Sequence, residues 1–255
     1  MVACIDLNAD VGEGFGPWSL GDEESLFSSV TSVNIACGFH AGDPRTMDEA
    51  VSLAVRSGAA IGAHPGYWDL RGFGRREMAA APGEIENDVL YQVGALAAFA
   101  RSHGRGLVHV KPHGALYNQA ARDAALAGAI ARGAKRADGH LILVGLASSE
   151  VMRRAAEEAG LRFAGEAFAD RAYEADGSLR SRGKPGAVLS DPAAAAGQAV
   201  LLAREGRVVS HDGHHVALRA ETLCVHGDTP EAPAIARAVR AALEGAGVAV
   251  RPLRH

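Results

Sequence analysis

The feature that most constrains the fold is an alternation repeated along the chain: a short apolar, β-rich run followed by a longer helical stretch. Strands are expected at 2–8, 33–37, 59–64, 106–113, 141–146, 161–168, 187–189 and 222–228. Helices are expected between most of them, at 44–57, 84–103, 120–137, 148–159, 191–204 and 231–246. Asp43-Pro44, Asp191-Pro192 and Thr229-Pro230 each set a capping side chain before a proline suited to a first helical turn. Strands alternating with helices form a parallel sheet. Seven or eight such units, with no linker or low-complexity break, favour one (β/α)-barrel domain over 1–255, closed or nearly closed. A doubly wound open sheet is the runner-up. The region at about 164–190 is polar and glycine-bearing, and reads as a long excursion over one face.

Parallel barrels bind ligands at the carboxyl ends of their strands, and here those ends turn polar. Alternation along an extended strand puts Asp6, Asn8 and Asp10 on one face, and likewise His109, Lys111 and His113. Thr222, Cys224, His226 and Asp228 repeat the pattern in the last strand. His40, His64 with Asp69 and Arg71, and Glu166 with Asp170 mark three further strand ends. One such residue is commonly a satisfied rim residue. Strand ends carrying them this often point to one concave polar site, because buried charges cost several kcal/mol unless paired or ligated. Glu13, just past the first strand, either lines the rim or caps the next element.

Other classes are excluded. A net charge of -4 provides no basic face for nucleic acid. No apolar run reaches the roughly 18 to 20 residues of a membrane span, and no leader is evident at the N-terminus. Three cysteines without a CxxC pair fit reduced, packed thiols in a cytoplasmic protein. DLNAD opens like a calcium loop, but Val11 and Pro17 stand where that loop needs Gly and Glu. GEGFG fails as a dinucleotide loop because the third glycine falls at Pro17. GSLRSRGKP fails as a phosphate loop, with Pro185 in place of Ser or Thr. What remains is chemistry by carboxylate, imidazole and ammonium. Asp10, His40 and His64 suit a divalent metal. The metal-free alternative is a carboxylate base, with Lys111 and histidines stabilising an oxyanion.

DLNADVGEGFG, NIACGFHAGDP, GAHPGYWDLRGFGRR, VKPHGALYN, EAFADRAYEADGSLRSR and VHGDTP occur in order along nearly the whole chain. Together they resemble the LamB/YcsF family. The resemblance implies a (β/α) barrel of the glycoside hydrolase/deacetylase type, with seven strands in an incompletely closed circle. It further implies the A-subunit role in ATP-dependent opening of 5-oxo-L-proline to L-glutamate, in concert with subunits B and C of a 5-oxoprolinase. ATP would be consumed by the complex and bound by those partners. Related sugar deacetylases carry over a metal-ligand set to Asp10, His40 and His64. In this scheme Asp10 or Asp6 activates water and His113 or His64 shuttles protons. Lys111 with Arg71 holds the substrate carboxylate or a phosphate, and Asn8, Glu13, Asp170, His226 and Asp228 line the substrate. The alternatives are a stand-alone metal-dependent amidohydrolase or deacetylase, and a non-catalytic binding subunit. Homo-oligomerisation stays open.

Overall fold

The computed structural model describes residues 4–19, 23–225 and 231–254. Seven strands run parallel around a ring: β1 (Cys4–Val11), β2 (Ser32–Ala36), β3 (Ala60–His64), β4 (His109–Val110), β5 (Ile142–Leu146), β6 (Arg162–Phe168) and, after an antiparallel β7 (Arg207–Val209) and β8 (His215–Ala217) hairpin, β9 (Thr222–Val225). A short β10 (Ala249–Val250) pairs with the start of β1 at Cys4 and Ile5. The ring is closed, where the resemblance implied an incomplete circle. β1 is eight residues long. It therefore pairs β9 from Asp6 to Ala9 while pairing β2 from Asn8 to Val11, and this stagger lets one strand close the barrel.

Helices α1 (Glu23–Phe27), α2 (Pro44–Ser57), α3 (Pro82–Ser102), α4 (Gly114–Ala120), α5 (Ala124–Ala137), α6 (Glu150–Glu158), α7 (Pro192–Glu205) and α8 (Ala232–Gly245) fill the connections. Asp43 caps α2 by accepting from the amides of Arg45 and Thr46, and Asp191 caps α7 through Ala193. The Thr229-Pro230 cap lies outside the described residues. The single helix expected at 120–137 is two, because Asp123 accepts from the amides of Ala125 and Leu126 and starts α5 afresh. The strand expected at 106–113 narrows to two residues, since Pro112 has no N–H for the ladder. At 187–189 there is only an isolated antiparallel bridge between Arg171 and Val188.

Strand alternation separates two interiors. Leu7, Ala9, Val11, Val33, Ile35, Ile61 and Leu143 face the helices and join Val51, Leu96, Ile130 and Val239 in the main core. Each large aliphatic side chain buried this way stabilises the fold by about 1.5–3 kcal/mol. Inside the ring, Ile142, Val144 and Ala164 pack with Leu253, whereas the β1, β2 and β9 side is polar. Gly62 is required there, because a Cβ on it would lie 2.0 Å from His109 Nε2. Cys37 and Cys224 are buried, but Cys4 is exposed rather than packed. No described helix is long and apolar enough to cross a membrane.

Glu23 ties α1 to the end of β1, with Oε1 accepting from the Gly12 amide at 2.8 Å. Burial pushes its carboxyl up from 4.5 to about 7, against the pull of the Gly12 and Glu13 amides. The native state therefore holds this proton more tightly than the unfolded chain. Glu23's favourable contribution is present below about pH 4.5 and lost as pH rises through about 7. Thermal melts of Glu23→Gln are expected to match wild type near pH 5 and exceed it by about 2 kcal/mol at pH 8. A gap that does not change with pH would contradict this.

Candidate active site

Three layers of polar side chains rise along the β1 side of the barrel. The deepest is Asp6, fully enclosed, which accepts from Thr31 Oγ1 at 2.7 Å, Ser32 Oγ at 2.6 Å and Thr222 Oγ1 at 2.6 Å. Burial drives its carboxyl pKa upward, and these hydroxyls oppose the rise. One layer up, Asn8 donates to Glu166 Oε1 at 3.0 Å and Thr222 Oγ1 at 2.6 Å, and accepts from Asn34 at 2.7 Å. In the top layer, Lys111 reaches across from β4. Its Nζ lies 3.0 Å from Asp10 Oδ1, 2.8 Å from Glu166 Oε1 and 3.2 Å from Cys224 Sγ. Burial alone would strip the proton from Lys111; Asp10, Cys224 and Glu166 outweigh it and hold its pKa well above the usual range. Lys111 is thus a fixed, fully charged ammonium. Tyr117 stays protonated, its pKa raised by burial and by the Glu166 carboxylate.

Beside this network four buried residues converge: Glu13, His40, His64 and His113, with one ligand atom of each within 4.8 Å of the others. Their tautomers follow from main-chain acceptors. His64 Nδ1 donates to the Lys111 carbonyl at 2.7 Å, and His113 Nε2 donates to the Phe73 carbonyl at 2.9 Å. In the neutral rings, His64 Nε2 and His113 Nδ1 then face each other as lone pairs, 3.0 Å apart. Only a shared proton or a cation relieves that opposition. Burial, followed by the neighbouring imidazoles, pulls His40 and His113 well below the usual histidine range. The loop after β3 presses on this cluster: Gly74 has φ +62°, and a Cβ there would lie 2.8 Å from both His40 Cβ and His113 Cδ2.

The cluster suits a divalent metal. A tetrahedral ion with bonds of about 2.0–2.1 Å sets its ligands about 3.3 Å apart. His64 Nε2 to His113 Nδ1 is 3.0 Å, His113 Nδ1 to Glu13 Oε1 is 3.4 Å, and Glu13 Oε1 to His40 Nε2 is 3.5 Å. Carbonyls that fix the far ring nitrogens are the outer support common at metal-ligating histidines. Both His40 ring nitrogens are buried without a hydrogen bond. His40 and His113 stack face to face at 3.7 Å, so His40 must tilt before both rings reach one ion. Titrating the metal-stripped chain with Zn²⁺ or Mn²⁺ is expected to raise its melting temperature, by an amount equal to about 2.7 kcal/mol at a hundredfold excess over Kd. Glu13→Gln should raise the Kd read from that response at least tenfold, and an unchanged Kd would contradict the site.

Asp10, His64, Lys111 and His113 line one cavity of about 770 Å³, with Tyr117 and Phe168. The structure thus gathers most of the residues expected from the strand ends, with changes of place. The carboxylate within the histidine cluster is Glu13; it is neither a rim residue nor a cap. Asp10 stands beside the cluster, its Oδ2 3.4 Å from His64 Nε2. Asp6 lies beneath the cavity and does not line it, and Asn8 is a link between layers. Arg71 is exposed on the turn Leu70–Gly72 and away from the cavity wall, where Arg75 stands instead. Asp170 is buried but off the wall. His226 and Asp228 lie outside the described residues. Sequence reasoning missed Asn34, although a lone amide inside the apolar run VNIAC was its signal. It also missed the wall arginines Arg171, Arg180 and Arg182, which have no comparable signal.

The LamB/YcsF family model matches residues 5–255. The chain belongs to the LamB/YcsF family. It is 55% identical over 253 residues to the A subunit of the 5-oxoprolinase of Methylococcus capsulatus, covering 99% of this chain and 97% of that protein. It is 54% identical over 247 residues to the corresponding 5-oxoprolinase A subunit of Thermus thermophilus, covering 97% of this chain and 98% of the relative. The crystal structure of a lactam utilization protein from Thermus thermophilus superposes with a TM-score of 0.93 at 52% identity, covering 98% of this chain and all of that one. A T48 deacetylase solved with substrate shares the fold alone, with a TM-score of 0.53 at 14% identity over 98% of this chain and 88% of that one. These LamB/YcsF relatives support a role for this chain in a 5-oxoprolinase complex.

Proposed function

We propose that this chain hydrolyses the ring amide of 5-oxo-L-proline to L-glutamate, as the A subunit of a 5-oxoprolinase whose subunits B and C handle ATP. One observation carries the reading: a chain collinear with 5-oxoprolinase A subunits gathers a carboxylate, an ammonium and an imidazole pair in one cavity. A five-membered lactam is an unstrained amide. Opening it takes a base for water, a stabiliser for the carbonyl oxygen and a proton for the departing nitrogen.

Asp10 fits the base. Lys111 and Asn34 hold its Oδ1, which turns Oδ2 toward His64 at the cavity. The His64–His113 pair fits a proton relay, since its facing lone pairs can take up the proton that Asp10 removes from water. As water adds to the carbonyl carbon, Asp10 takes its proton. As the C–N bond breaks, the imidazole pair passes that proton on to the ring nitrogen. Phosphorylation of the lactam oxygen by the partner subunits would make that carbon a better electrophile; C–N cleavage then leaves γ-glutamyl phosphate, and a second water releases phosphate to give glutamate. A divalent ion in the Glu13–histidine cluster would polarise the carbonyl or acidify water when bound.

That cluster also favours a second reading, a metal-dependent amidohydrolase acting alone. Glutamate release from 5-oxoproline and ATP separates the two. The first reading expects release only when this chain and its partners are combined, and it fails if the partners alone reach the full rate. Release by the isolated chain without ATP, abolished by a chelator, selects the second.

A further inference from the structure

The proposed chemistry leaves one side of the cavity unused. Arg171 lies three residues past the end of β6, is 7% exposed and lines the same cavity as Asp10 and His113. Its Nε donates to the Ala187 carbonyl at 3.2 Å and its Nη2 to the Arg180 carbonyl at 2.6 Å. Among the described residues, no carboxylate comes within ion-pairing distance of it. Other arginines on this wall are neutralised: Arg180 pairs with Glu174, and Arg122 with Glu77. Lys111 is no substitute, because Asp10 and Glu166 already compensate its charge.

A buried guanidinium without a counter-charge in contact is costly unless a ligand supplies one. Two carbonyls fix the plane of this one, which leaves Nη1 and the second hydrogen of Nη2 for a forked contact with an oxyanion. Burial and the nearby Arg182 pull the Arg171 pKa down more strongly than Asp170 raises it, so an arriving anion would relieve both. The cavity of about 770 Å³ also far exceeds a single five-membered ring. The polar excursion supplies Arg171, Arg180 and Arg182 to this wall.

We propose that Arg171 forms an oxyanion-binding subsite that takes the anionic group of the substrate, its carboxylate or a phosphoryl group carried by an activated form. The subsite deepens the lactam-hydrolase reading and rests on it for the identity of the substrate. It moves the anion-holding role from Lys111 and Arg71 to Arg171.

Calorimetric titration of the full chain with 5-oxo-L-proline, uncharged 2-pyrrolidinone and inorganic phosphate tests it. Wild type is expected to bind 5-oxoproline at least about tenfold more tightly than 2-pyrrolidinone, the margin of a charge-assisted forked contact. Arg171→Gln should erase that margin while changing 2-pyrrolidinone binding less than about twofold. Phosphate competition with 5-oxoproline that is lost in Arg171→Gln assigns the subsite to a phosphoryl group as well; no competition confines it to the carboxylate. Arg171-dependent phosphate binding without any 5-oxoproline binding keeps the subsite and overturns the lactam reading. A margin that survives Arg171→Gln, or wild type that binds neither anion, overturns the subsite. Should Arg171→Gln fail to fold, Arg171→Lys, which keeps the charge and loses the fork, should shrink the margin of 5-oxoproline over 2-pyrrolidinone about threefold, and an unchanged margin overturns the proposal.

Discussion

Replacing Lys111 with methionine is expected to destabilise the fold by about 3–5 kcal/mol, the range found when one partner of a buried ion pair is removed. The variant keeps the volume and discards the charge. Glu166 is fully buried and Asp10 is 14% exposed at its side chain, so both carboxylates would then sit in the barrel without their cation. Asn8, whose amide donates to Glu166, cannot replace an ammonium. Against a total stability of about 5–15 kcal/mol this is a large fraction, and urea denaturation would show it directly. Glu166→Gln added to Lys111→Met should restore part of the loss, because it removes one of the stranded charges. A single variant within about 1 kcal/mol of wild type would mean that the ammonium is not what holds these carboxylates.

What the sequence makes legible is the face of each strand, not the depth. Alternation places Asp6, Asn8 and Asp10 inside the barrel, and there they are. Asp6 and Asp10 are nevertheless about 13 Å apart along the strand, and only the upper one reaches the cavity. Helix starts such as Asp43-Pro44 are legible because a cap is a local interaction. Glu13 is not, since its role depends on His40 and His113 arriving from two other strand ends. The break before α5 went unread because Asp123 competes locally within an otherwise continuous helical pattern. Arg71 and Arg171 illustrate the same limit: both follow strand ends, but one turns to solvent and the other is drawn back under the excursion. The fold rests on periodicity and is legible; the pairing of charges rests on loops that meet only in three dimensions.

Substituting Asp10 with asparagine tests the proposed chemistry with the least disturbance to the fold. The amide oxygen can still accept from Asn34 and Lys111, and Lys111 keeps Glu166 as its counter-charge, so thermal stability should stay close to wild type. What is lost is the proton acceptor at Oδ2, beside His64. General-base catalysis contributes about 10²–10⁴-fold, so turnover should fall by that factor with substrate affinity little changed. The decisive measurement is the rate of glutamate release from 5-oxo-L-proline and ATP by the complex assembled with the Asp10→Asn chain. A drop of at least about a hundredfold, in a chain that folds and assembles normally, is the predicted result. Glutamate release at the wild-type rate would contradict the assignment of the hydrolytic step to this cavity.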